Sequence, residues 1–133
     1  MRNDMLEKKI QRALSKIKKL EDFQKVKFII LYGSGANHTM RRTSDIDLCI
    51  YYDGPSDEAS KFRVKVLSEL FDDIYDVHIF NQLPLYIQKE VLKGRVLYSS
   101  DQQFLYDVAA RVIKKFDDFK HRYYDYIGEK KIS

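Results

Sequence analysis

Residues 31–50 read LYGSGANHTMRRTSDIDLCI, and the reading of this stretch decides the fold. Gly33-Ser34 follows directly on an apolar run that begins at Val26, and Ser44-Asp45-Ile46-Asp47 opens a second one. The polar loop between them holds no obvious core residue. Val26 to Tyr32 is nearly continuous in branched and aromatic residues, the pattern of a strand covered on both faces. A glycine-serine turn leaving such a strand suits a phosphate. Glycine lets the main chain approach the anion, and amides at a following helix N-terminus point at it. Asp45 to Tyr52 reads as a second strand. Alternation places Ile46, Leu48 and Ile50 on one face, and Asp45, Asp47, Cys49 and Tyr51 on the other. Two carboxylates about 4 Å apart on one strand face repel by about 4 kcal/mol at an effective dielectric of about 20, unless a cation lies between them. Oxygen ligands beside a phosphate suit Mg²⁺.

Working outward, Asp4 to Leu20 has Leu6, Ile10, Ala13, Leu14, Ile17 and Leu20 at helical spacing, with Asp4 as the expected cap and Glu7 three residues on. Ser34 to about Met40 reads as a short helix or turn, followed by a loop at Arg41-Arg42-Thr43. After the second strand, Asp53-Gly54-Pro55 is a break and Ser56 an expected cap. Ala59, Phe62, Val66 and Leu70 give the next helix a buried stripe. Tyr75 to Phe80, YDVHIF, is a third strand. Pro84 starts a short helix that Gly94 stops, and Arg95 to Tyr98 is a short edge strand. From Asp101 to about Ile127 runs a long helix, with Leu105, Val108, Val112, Phe116, Phe119 and Tyr123 on one side. The order predicts an α/β (α+β) domain, a small β-sheet covered by helices, with helices at the C-terminus.

The chain has 133 residues, enough for one domain and too few for two ordinary ones. No apolar run approaches a membrane span, and MRNDMLEKKI lacks the apolar core of a secretory signal. With Cys49 as the only cysteine, no internal disulfide can form, so a reducing cytoplasm is the expected compartment. Cys49 itself reads as a small packing residue. The net charge of +4 permits attraction to nucleotides or nucleic acid without requiring it. There is no P-loop, no dinucleotide fingerprint and no zinc spacing. Basic residues Lys114, Lys115, Lys120, His121 and Arg122 interleave with aromatics near the C-terminus; RNA contact and a helix with a basic outer face both fit them.

The combination Gly33-Ser34, a fixed interval, then Ser44-Asp45-Ile46-Asp47 resembles the signature of the DNA polymerase β-like nucleotidyltransferases, in their minimal nucleotidyltransferase branch. The resemblance runs from about Val26 to Phe80 and implies a mixed sheet with helices on one side, within a single domain spanning 1–133. It implies that Gly33, Ser34 and Ser44 hold the nucleotide phosphates. It also implies that Asp45 and Asp47 bind metal, two Mg²⁺ ions being expected, with ATP as substrate. Asp76, at the start of YDVHIF, is the best third carboxylate and also matches the family pattern; Asp72 and Asp73 sit nearer the preceding helix. His38 stands where the family often has glycine, and Gly35 and Asn37 replace two usual arginines. Arg41 and Arg42 are candidates to supply the missing charge. His78 reads as a strand residue, with a supporting role to Asp76 as the sharper alternative.

The activity so implied is transfer of AMP from ATP to a hydroxyl with release of pyrophosphate. Small members of the branch resemble antitoxins that adenylylate a tyrosine of a HEPN-domain toxin, so a HEPN-domain partner is expected. Nucleic acid is not required, no membrane is involved, and homo-oligomerisation stays open. Two other readings stand beside this one: adenylylation of a small molecule such as an aminoglycoside, and a non-catalytic binding module that neutralises a partner by occlusion.

Overall fold

The computed structural model describes residues 2–33 and 46–132. Four strands form one sheet: β1 (Val26–Tyr32), β2 (Ile46–Tyr52), β3 (Tyr75–Ile79) and β4 (Arg95–Ser99). Their order is β3-β2-β1-β4. The central strand β1 runs antiparallel to β2 and to β4, whereas β2 and β3 are parallel. A parallel pair needs a crossover, and α2 (Ser56–Leu70) supplies it. The other helices are α1 (Arg2–Lys18), α3 (Leu85–Leu92) and α4 (Gln102–Ile132). The sheet is mixed, as the family resemblance implies.

The unbroken apolar run of β1 explains the layering. Val26, Ile29 and Leu31 join Ile46, Leu48 and Ile50 of β2 and Val77 and Ile79 of β3 in a core with α1 and α2. Phe28 and Ile30 point the other way, into a second core with Cys49, Phe80, Val91 of α3, and Leu105, Val108 and Val112 of α4. Helices therefore cover both faces of the sheet, where the family resemblance implied one. Fully burying a large apolar side chain is worth about 1.5–3 kcal/mol, and β1 offers such side chains to both faces. A bulge lets it do so. Val26 pairs with Tyr52 and Phe28 with Tyr51, so Lys27 is the extra residue and Val26 stays on the α1 side.

Element ends differ from expectation by small steps. Asp4 falls inside α1 rather than ahead of it. Pro55, not Ser56, is the N-cap of α2, and no side chain caps it. Pro84 holds the same position before α3. Asp101 does cap α4, its Oδ1 accepting from the amides of Gln103 at 3.0 Å and Phe104 at 3.3 Å. A two-pronged bond from Arg95 to Glu7, both contacts 2.7 Å, ties β4 to α1. Hydrogen bonds from Arg95 and then Gln11 draw the Glu7 carboxyl down to about 2. Both side chains are about half exposed, so the pair contributes at most about 1 kcal/mol.

One cap is strained. Phe71 closes α2 in the left-handed region at φ 45°, its amide bonded to the Leu67 carbonyl, and it is 91% exposed. A left-handed non-glycine residue costs about 1–2 kcal/mol, and glycine is the usual occupant of this position. Phe71→Gly should therefore raise the free energy of unfolding by about 1 kcal/mol, read from urea denaturation. A loss of stability would show that the ring is packed after all.

Candidate active site

The second sheet face carries more than core. At the end of β1, the start of β2 and the start of β3, its apolar residues give way to Tyr32, Asp47 and Asp76. These three lie side by side: Asp47 pairs with Tyr32 across the antiparallel ladder and with Asp76 across the parallel one. Neighbouring strands are about 4.8 Å apart, so the register alone brings the two carboxylates together. Gly33 follows β1 immediately. Gly33 has φ +79°, and a Cβ there would meet Asp47 Oδ2 at 2.5 Å. The glycine is thus required twice, for its left-handed conformation and for the room it leaves Asp47.

Asp76 is 44% exposed and receives a hydrogen bond of 3.0 Å from His78 Nε2 to its Oδ2. The imidazole also meets the Tyr32 ring edge-on, with 6.3 Å between centroids. His78 is thus more than an ordinary strand residue, because it fixes one oxygen of Asp76. The signal was present in the sequence, since positions 76 and 78 share a strand face. Tyr32 was not singled out from sequence. Burial pushes its hydroxyl well above the ordinary tyrosine range, with smaller contributions from Cys49, Asp47 and Asp76. Cys49, the next residue on this face of β2, is fully buried, and burial raises its thiol. It is a packing residue, as expected.

Of the residues singled out from sequence, the structure brings together Gly33, Asp47 and Asp76. Ser34, His38, Arg41, Arg42, Ser44 and Asp45 lie outside the described residues. Asp72 belongs to the turn before β3, its Oδ1 accepting from the Ile74 amide at 3.1 Å. Among the described residues there is no group of three or more His, Cys, Asp or Glu side chains placed to hold a metal. Asp47 and Asp76 supply two oxygen-donor groups of the hard kind that suits Mg²⁺. Also among the described residues, no helix is long and apolar enough to cross a membrane.

The mixed four-stranded sheet with its helices agrees with the proteins that this chain resembles. The sequence model of the family "Polymerase beta, Nucleotidyltransferase" matches residues 15–103. A Methanocaldococcus jannaschii protein named "Putative protein adenylyltransferase MJ1547" is 32% identical over 98 residues, covering 74% of this chain and 75% of that one. The chain belongs to the polymerase β nucleotidyltransferase family. Among solved structures, a toxin–antitoxin crystallised with AMP-PNP superposes with a TM-score of 0.69 at 21% identity, over 89% of this chain and 95% of the other. The Shewanella oneidensis complex of a tri-AMPylated HEPN toxin with an MNT antitoxin gives a TM-score of 0.61 at 19% identity, over 95% and 96%. These two share the fold.

The close approach of Gly33 to Asp47 can be tested directly. Gly33→Ala should cost about 1–2 kcal/mol of stability from the left-handed backbone alone, and it should displace the Asp47 carboxylate. Urea unfolding measures the first effect. Wild-type stability in this variant would contradict the geometry described.

Proposed function

We propose that this chain is a Mg²⁺-dependent protein adenylyltransferase that moves AMP from ATP to a tyrosine hydroxyl of a HEPN-domain partner. The observation that carries the reading is the facing register of Asp47 and Asp76 beside the Gly33 turn. Membership of the nucleotidyltransferase family supports the reaction class. The name of the archaeal relative supports a protein as acceptor. The structural neighbours, whose complexes hold AMP-PNP in one case and an AMPylated HEPN toxin in another, support nucleotide and partner.

In this reading Asp45, Asp47 and Asp76 hold the metal, and Gly33, Ser34 and Ser44 receive the triphosphate. Mg²⁺, when bound, neutralises charge on the phosphates and favours the ionised acceptor oxygen. The chain's own groups do the rest. Gly33 leaves the main chain open to the phosphates. His78 holds Asp76 with one oxygen engaged and the other available, and that second oxygen takes the proton from the acceptor hydroxyl. The acceptor oxygen bonds to the α-phosphorus as the bond from that phosphorus to the β-phosphate bridging oxygen breaks, and pyrophosphate leaves. The added AMP places a negative charge on the partner, which opposes binding of RNA phosphates there.

The test is incubation of the chain with α-labelled ATP, Mg²⁺ and a HEPN-domain partner, followed by intact-mass analysis of the partner. Wild type should add AMP to a tyrosine. Asp47→Asn and Asp76→Asn should each reduce the adduct to background while keeping the far-ultraviolet circular dichroism of wild type. A partner bound and silenced equally by wild type and Asp47→Asn, with no adduct, would overturn the reading and leave a binding module. Label on an aminoglycoside and none on protein would redirect it to a small-molecule acceptor.

A further inference from the structure

The long helix α4 overruns the core that it helps to build. Its inward stripe begins with Leu105, Val108 and Val112, all buried against the sheet. Phe116, next on the stripe, is half-buried under the ammonium of Lys89, 4.0 Å from the ring centroid. The two residues that continue it, Phe119 and Tyr123, are 61% and 54% exposed and stack on each other at 6.4 Å. Nothing in the fold requires an apolar ridge there. Where the stripe leaves the core, a groove of 230 Å³ opens between α3 and α4, with Tyr51, Phe80 and Val112 below and Arg111 and Lys115 along its rim. Lys115 on the groove's rim is one helical turn before Phe119 of the ridge.

Charge says what suits it. At 3.6 residues per turn, Lys115, Lys120 and Arg122 lie within about 100° of the stripe's centre, whereas Asp117, Asp118 and Asp125 lie about 120° or more away. The expected basic outer face is therefore incomplete: much of the positive charge borders the apolar stripe and the carboxylates sit behind it. Among the described residues, Lys115, Lys120 and Arg122 take part in no ion pair. A second copy packed helix against helix would set these cations against their own kind. RNA is a poor match as well, because residues 102–125 carry five lysines and arginines against four aspartates, close to neutral for a surface that must hold a polyanion.

We propose that the projecting half of α4, with the groove at its base, docks an amphipathic helix of a partner protein whose apolar face is flanked by glutamate or aspartate. Naming that partner as the acceptor of AMP rests on the function proposed above; the surface itself does not.

The test uses the whole chain and a synthetic helical peptide with a leucine stripe, glutamates on both flanks and one tryptophan. The chain has no tryptophan of its own, so the peptide's emission reports binding. Wild type should bind. Phe119→Ser with Tyr123→Ser, and separately Lys115→Glu with Lys120→Glu and Arg122→Glu, should each weaken binding by about tenfold or more, equivalent to about 1.4 kcal/mol. A peptide with lysines in place of the glutamates should bind the charge-reversed variant better than wild type. Failure of the acidic peptide to bind, or equal binding of both peptides to both proteins, overturns the proposal. So does self-association of the wild type abolished by Phe119→Ser with Tyr123→Ser, or preferential binding of single-stranded RNA. Peptide binding without any AMP adduct in the transfer experiment would retain the surface and remove the enzymatic reading; adduct without peptide binding would do the reverse.

Discussion

The parallel pairing of β2 with β3 is the constraint on which the site depends. It sets Asp47 opposite Asp76, and a slip of one residue would turn one of them into the core beneath α1 and α2. The pairing is held in register from the opposite face. Ile46, Leu48 and Ile50 interleave there with Tyr75, Val77 and Ile79, and the Tyr75 hydroxyl donates to the Lys9 carbonyl of α1 at 2.9 Å. Two carboxylates can be kept close because apolar burial elsewhere fixes the strands that carry them. His78 then removes one rotational choice from Asp76, and Gly33 leaves the space that Asp47 fills.

Much of this was legible in the sequence where a single physical rule decides. Val26–Tyr32 is a strand with the predicted limits because an apolar, β-branched run ends at a glycine. The stripe Ala59, Phe62, Val66 and Leu70 is buried as its spacing requires. Asp47 and Asp76 were named from strand openings and the family pattern, but their facing register was not legible. It follows from the length and packing of α2, which no local pattern encodes. The one-sided covering failed for a similar reason: alternation shows that β1 is apolar on both faces but not which later helix returns to cover the second. Caps were misplaced because Pro55 and Pro84 take the N-cap position themselves, leaving Ser56 within the helix.

The same limit applies to α4. Helical periodicity runs unchanged from Leu105 through Tyr123, so the sequence gives no sign of where the core stops. Only the fold separates the part of the stripe that packs against β1 from the part that projects. The sheet face that bears Asp47 and Asp76 and this projecting ridge share one layer of the structure, since Val108 and Val112 support the sheet side that bears Cys49 and Phe80.

The proposed function requires nucleotide and metal to meet at Asp47 and Asp76, and melting temperature tests this most directly. ATP with Mg²⁺ at 100 times the dissociation constant stabilises a protein that binds it by about 2.7 kcal/mol. Wild type should gain several degrees with ATP and Mg²⁺ together and much less with ATP alone, whereas Asp47→Asn and Asp76→Asn should show little of the Mg²⁺-dependent part. An equal Mg²⁺-dependent rise in all three proteins would contradict the site.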